Sequence, residues 1–244
     1  MIKGIDVSNW QGQIQWQQVA AQGIGFAFVK ATEGTGYTDP YMKANVSGAQ
    51  AQGLKVGVYH FLRPGLGKVL AEAEHFVQHT RDFAADWLVV DIETTDKVAL
   101  NQVKAYTRTW LERVQELTGK TPLVYTYVSF ANSVLEDALV DWPLWVAHYG
   151  VKEPGQTPWP QWVCWQHSDA GTVPGIGGKV DMNWMKEEFF MSPKPQVEPW
   201  KQEIMDQALK AGLIKELHNP NDPAPKWFVL AVALNLLEIS KSEE

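Results

Sequence analysis

The sequence predicts an α/β fold, an irregular (β/α) barrel with missing helices, followed by a small C-terminal two-helix segment. Three observations carry this. Eight β-rich runs can be counted, with helical spacing between the first five and mostly loop-like sequence after them. Residues 87–90 (Trp-Leu-Val-Val) are four apolar residues in succession, which suits a strand covered on both faces. The alternative, an open doubly wound sheet of the dinucleotide-binding kind, lacks its Gly-x-Gly-x-x-Gly after the first strand.

The elements follow in order. Residues 2–8 form the first strand, which ends in Asp6, Ser8 and Asn9, and Trp10-Gln11-Gly12 makes the exit turn. Residues 14–22 have helical spacing and stop at Gly23. The second strand, 25–32, delivers Lys30 and then Glu33 to its end. A helix led by Pro40 runs to about residue 52, because proline suits a first helical position. The third strand, 55–62, ends at Tyr59, His60 and Phe61, and a helix covers 66–83. The fourth strand is 87–93. A long helix over 96–117 places Val103, Trp110, Leu111 and Val114 on one face. A fifth strand at 122–129 carries Tyr125, and a short helix spans 130–139. Strands at 143–149, 162–167 and 179–184 complete the eight.

The barrel is assigned to residues 1–191. Residues 192–199, rich in proline, read as a linker. Residues 200–244 hold two helical segments, too little for a secure core of their own. This tail docks on the barrel, forms a homodimer through the apolar face of residues 227–237, or docks on something else.

Composition narrows the function classes. The chain is 45% hydrophobic and 20% charged, as in ordinary globular proteins. Its net charge of −7, without a basic run, argues against nucleic acid and anionic membranes. The single Cys164 can form neither an intramolecular disulfide nor a cysteine zinc site, and it lies in an apolar run. Twelve tryptophans hint at carbohydrate, since indoles stack on the apolar faces of sugars. No signal peptide precedes the first strand and no run is long enough to span a membrane. A cytoplasmic origin is therefore expected.

The chemistry is expected at the strand ends. In a parallel barrel they converge on one mouth. Asp6, Asp91, Glu93 and Asp181 then rim one pocket, with Phe61, Tyr125, Trp145, Tyr149 and Trp165 around it. Asp91 and Glu93, two apart in extended chain, point to the same side. Clustered carboxylates suit a divalent metal or glycoside hydrolysis, and the aromatics favour sugar. Neighbouring acids raise one another's pKa, which makes Glu93 the choice for proton donor. Asp91 either orients a 2-acetamido group for substrate-assisted attack or serves a carboxylate-nucleophile mechanism. His60, between Tyr59 and Phe61, reads as a hydrogen-bonded packing residue, and Lys30 as a partner for Glu33 or a rim acid. No metal or other cofactor is called for.

Seven motifs in order carry a resemblance: Gly4-Ile5-Asp6-Val7-Ser8-x-Trp10-Gln11-Gly12, Phe28-Val29-Lys30-Ala31-Thr32-Glu33-Gly34, Gly57-Val58-Tyr59-His60-Phe61, Asp91-Ile92-Glu93, Trp145-x-Ala147-x-Tyr149, Trp165-Gln166, and Val180-Asp181-x-Asn183. Over residues 1–190 the chain resembles glycoside hydrolase family 25, the Chalaropsis-type lysozymes found among phage endolysins and bacterial autolysins. The resemblance implies a muramidase that cleaves the β-1,4 bond between N-acetylmuramic acid and N-acetylglucosamine in bacterial peptidoglycan. It implies Glu93 as acid/base, Asp91 as stabiliser or acetamido-orienting residue, and Asp6 and Asp181 as supporting acids. Lys30, Glu33, Tyr59, Phe61, Tyr125, Trp145, Tyr149, Gln166 and Asn183 are the expected saccharide-binding residues. A wall substrate without a signal peptide fits an endolysin released through a partner pore. The competing readings are a wall-binding module with a decayed site, against which the four acids stand, and a chitinase-like glycosidase.

Overall fold

The computed structural model describes residues 1–191 and 199–214. The predicted linker up to residue 198, and the apolar tail helix with its dimer face, lie outside the described residues. Two compact units are distinguished, Met1–Gln115 with Lys120–Ser192, and Glu116–Gly119 with Pro193–Glu244.

The first unit runs β1 (Ile2–Val7), α1 (Trp16–Ala20), β2 (Phe26–Glu33), β3 (Tyr37–Thr38), α2 (Met42–Ala51), β4 (Lys55–Phe61), α3 (Val69–Thr80), β5 (Trp87–Asp91), α4 (Leu100–Thr118), β6 (Leu123–Tyr127), α5 (Val128–Phe130), β7 (Leu144–Ala147), β8 (Cys164–Gly171), β9 (Val180–Met185) and α6 (Glu187–Phe190). Eight strands close a barrel in the order β1-β9-β8-β7-β6-β5-β4-β2, with β1 pairing back onto β2. β3 stands outside this ring, antiparallel to the end of β2. The expected barrel, poor in helices after β7, is the observed one. Beyond residue 192 the described residues hold one helix, α7 (Pro199–Lys210), followed by Gly212 in the left-handed conformation.

The period-2 alternation of strands sorts every residue to one of two layers. Phe26, Phe28, Val89, Leu123, Trp145, Cys164 and Met185 fill the barrel interior. The intervening residues, such as Ala27, Val29, Val58, Leu88 and Val90, face the surrounding helices with Phe76, Trp110, Leu111 and Val114. Each large side chain so buried contributes roughly 1.5–3 kcal/mol. His60 belongs to this outer layer and is the packing residue the sequence predicts. Its ring stacks on Trp110 at 5.4 Å, Nδ1 meets the Thr32 hydroxyl at 2.8 Å, and Nε2 meets the buried Glu72 at 3.1 Å.

The structure differs from the expectation in four places. The helix predicted from residue 96 starts at Leu100, because Asp96 and Lys97 hold positive φ angles of 46° and 66° that no right-handed helix admits. The helix beginning at Pro40 starts at Met42. Asp39 is occupied instead by the backbone N–H groups of Asn9 and Tyr41, both at 2.8 Å. The helix of 130–139 is the short α5 followed by a π-helical turn over Ala131–Leu135. Finally, β9 is antiparallel to both of its neighbours, β1 and β8, while the other barrel pairs are parallel.

Candidate active site

The site residues continue the interior register of each strand upward to the mouth. Above Gly4 comes Asp6, above Phe28 comes Lys30, above Gly57 come Tyr59 and Phe61, and above Val89 comes Asp91. Asp181 arrives differently. The expectation placed it at the C-terminal end of a parallel strand, whereas it sits near the start of β9, and the reversal of β9 brings that start to the mouth. Asp6 and Asp181 are register partners across the β1–β9 pair. The convergence is real, but parallel strands account for only three of the four acids. Glu93 lies beyond the end of β5, and its segment is held against β6. The Ile92 N–H donates to the Tyr125 carbonyl at 3.0 Å, Thr126 Oγ1 donates to the Ile92 carbonyl at 2.8 Å, and the Tyr127 hydroxyl donates to the Glu93 carbonyl at 3.4 Å.

A cavity of about 210 Å³ is lined by Asp6, Tyr59, Asp91, Glu93, Tyr125, Trp145, Tyr149, Gln166 and Asp181. Its floor is aromatic: Trp145 stacks on Phe28 at 4.2 Å and meets Tyr125 at 4.3 Å. The indole N–H of Trp145 donates to Asn183 Oδ1 at 2.8 Å. Asn183 and Gln166 each donate a side-chain N–H to Asp6 Oδ2, at 2.7 and 2.8 Å. The hydroxyls of Tyr125 and Tyr149 both donate to Gln166 Oε1, at 2.7 and 2.5 Å. One polar web therefore fixes the wall of the cavity opposite Asp91.

The acids act on one another in two pairs, Asp6 with Asp181 and Asp91 with Glu93. Burial is the leading cause and pushes all four above the ordinary carboxylate range. Asp181 raises Asp6 further, and Glu93 raises Asp91 further. The Lys30 ammonium pulls both Asp91 and Glu93 back down. Burial likewise pushes the Tyr59 and Tyr125 phenols up, and they stay neutral donors. Oδ1 of Asp91 is buried with no hydrogen-bond donor directed at it.

Of the remaining predicted residues, Lys30, Glu33 and Phe61 do not line this cavity. Lys30 Nζ lies 2.8 Å from Glu33 Oε2 and 5.2 Å from the centre of the Phe61 ring. Trp165, expected at the rim, faces the outer layer, where its indole N–H donates to the His148 carbonyl at 2.9 Å; it is one residue out of the interior register. Sequence reasoning missed Arg63 and Asp96, joined by a two-pronged ion pair beside Glu33. It also missed a second cavity of about 410 Å³ lined by Glu93, Tyr125, Tyr127, Val128, Ser129, Ala147, His148 and Tyr149. Arg63 stands two residues past the end of β4, so the rule that found the acids could have found it too. Nδ1 of His148 accepts the Gly155 N–H at 2.9 Å, which leaves its ring proton on Nε2.

Among the described residues no cluster of three or more His, Cys, Asp or Glu is arranged to hold a metal ion, and no helix is long and apolar enough to cross a membrane.

The sequence pattern of glycosyl hydrolases family 25 matches residues 5–176. Lysozyme M1 of Streptomyces globisporus is 36% identical over 196 residues, which cover 75% of this chain and 67% of that protein. The N,O-diacetylmuramidase of Chalaropsis sp is 30% identical over 202 residues, covering 74% of this chain and 96% of that one. The crystal structure of the bacterial lysozyme from Streptomyces coelicolor superposes with a TM-score of 0.70 at 33% identity, over 76% of this chain and 92% of that chain.

Proposed function

Because this chain belongs to glycosyl hydrolases family 25, we propose that it cleaves the β-1,4 bond between N-acetylmuramic acid and N-acetylglucosamine, with Glu93 as the proton donor. It is a peptidoglycan hydrolase, a lysozyme of the muramidase type. One observation carries the assignment of Glu93: it is the one acid of the four that lines both cavities. The scissile oxygen then lies at the junction. The sugar whose C1 is attacked occupies the cavity of the four acids, and the departing sugar occupies the larger one. Glu93 gives its proton to the glycosidic oxygen as the C1–O bond breaks, and afterwards takes a proton from the water that attacks C1.

Asp91 acts on the other side of the ring. Its carboxylate lines the cavity of the four acids and takes the N–H of a 2-acetamido group. Held by that bond, the acetamido carbonyl oxygen attacks C1, and water later opens the cyclic intermediate. Asp6, held by Gln166 and Asn183, and Asp181 support the charge on this side. Tyr59, Tyr125, Tyr149 and Gln166 contact the sugar directly, over the Trp145 floor. Lys30, Glu33 and Phe61 extend the groove beside it.

The biological reading is an endolysin, made in the host cytoplasm and reaching the wall through a partner pore. The tail past the linker docks, dimerises or binds the wall. Concentration-dependent sedimentation separates the homodimer from the other two.

Digestion of purified peptidoglycan, borohydride reduction and mass spectrometry test the chemistry. Wild type is expected to yield new reducing muramic acid ends, and Glu93→Gln to yield them about 10²–10⁴ times more slowly. New reducing glucosamine ends would move the cut to the other linkage. Most of the turnover surviving in Glu93→Gln would remove Glu93 from its role.

A further inference from the structure

The ends of three neighbouring strands, β5, β4 and β2, are tied together by side chains that lie outside the cavity of the four acids. Asp96, three residues past Glu93, holds φ at 46° and Lys97 at 66°, a region that residues bearing a side chain rarely adopt. Arg63 holds this turn. Its Nε and Nη2 both donate to the Asp96 carboxylate, each at 3.0 Å. The Gly65 N–H and the Thr94 hydroxyl add bonds to the same carboxylate at 3.3 and 3.2 Å. The third nitrogen of Arg63, Nη1, donates to Glu33 Oε1 at 3.1 Å, and the other oxygen of Glu33 takes Lys30 at 2.8 Å. Lys30 stands on the interior register of β2, and its charge acts on the two acids at the end of β5. The main chain of Arg63 is itself fixed, its N–H donating to the buried Glu72 at 3.0 Å. The chain of contacts therefore leaves the segment of Glu93 through Asp96 and returns to it through Lys30.

We propose that Arg63 is a positioning residue for the hydrolysis: its fork onto Asp96 fixes the turn that carries Glu93, and its third nitrogen holds Glu33 where Lys30 presents its charge to the acid pair. Only a guanidinium suits the post. Two parallel N–H groups meet one carboxylate in plane while a third reaches a second acid, and an ammonium offers no such fork. Lys30 and Glu33 alone would be a short-range pair at a half-open surface, free to rearrange. With one oxygen of Glu33 committed to Arg63, a single geometry remains for Lys30.

The proposal rests on the muramidase reading, and its test has a readout that does not. Arg63→Ala and Arg63→Lys are compared with wild type by amide hydrogen exchange across residues 93–98 and by kcat and KM on purified peptidoglycan. Arg63→Ala is expected to speed exchange in that segment about tenfold or more. It is also expected to lower kcat about tenfold to a hundredfold with KM within about twofold. Added guanidinium ion restores part of the kcat of Arg63→Ala, whereas Arg63→Lys stays impaired. Unchanged exchange, unchanged kcat, or full activity in Arg63→Lys would each overturn the proposal. A parallel loss of kcat and melting temperature without guanidinium rescue would overturn it as well, in favour of a merely structural salt bridge. Should wild type release no new ends, the assigned activity fails, and exchange alone then decides whether Arg63 holds the turn.

Discussion

At the scale of single residues, the site is a problem of protonation among four acids, of which Asp6 and Asp91 are buried and Glu93 and Asp181 half-buried. The active form needs Glu93 protonated and Asp91 ionised, and burial pushes both toward the protonated state. Lys30 opposes this for both. The sign of its removal follows. In Lys30→Met both groups titrate at higher pH, so the acidic limb, which reports ionisation of Asp91, and the basic limb, which reports loss of the Glu93 proton, both move upward. A pH profile of kcat/KM on soluble glycan strands checks this, and a downward shift of either limb contradicts it. Asp91 was legible because it follows an apolar run, with Ile92 separating it from Glu93 by the strand period, and Asp6 and Asp181 because they fall in the first and last predicted strands. The pairing of Arg63 with Asp96 was not. They are 33 residues apart, on two loops that meet only because β4 and β5 are neighbours, and nothing in local spacing announces a loop-to-loop fork.

At the scale of elements, β2 shows how sequence and packing agree. Phe26 and Phe28 fill the barrel interior, and the register sets each beside a glycine, Gly4 on β1 and Gly57 on β4. A Cβ on Gly57 would lie 2.3 Å from the Phe28 ring, and one on Gly4 would lie 2.2 Å from the Phe26 ring. Gly57→Ala is therefore expected to cost about 1–3 kcal/mol, seen as a lower urea midpoint, with part recovered when Phe28→Leu is added. Equal stability of Gly57→Ala and wild type would show that the interior has slack. Strand positions were legible because alternation and turn residues mark them. The direction of β9 was not, since a period of two reads the same both ways along the chain. The start of α4 was misplaced for a related reason. Val98 fits the helical spacing, yet the turn before it is held by the ion pair of Asp96 with Arg63, a tertiary contact that overrides local pattern.

At the scale of the whole molecule, the barrel is sealed at its lower end by the last described residues of its unit. The Phe190 ring lies 6.4 Å from Phe26 and 6.1 Å from Trp87, and Lys55 Nζ sits 4.5 Å from its centre. A chain ended at residue 192 is expected to hydrolyse purified peptidoglycan within about threefold of full length, because the groove and its supports all lie before that point. A chain ended at residue 186 loses this seal and is expected to be largely insoluble. Inactivity of the longer truncation would assign the tail a part in the reaction itself.

The reversed closing strand has a consequence in time. Asp6 is made among the first residues, yet its two amide partners, Gln166 and Asn183, lie 160 and 177 residues further on. Contacts of such separation form late, after the long loop between them has been ordered. Nothing that binds Asp6 exists in a nascent chain until nearly all of the barrel has been synthesised. The ability to cut is therefore expected to arise late in folding, when β9 slots between β1 and β8.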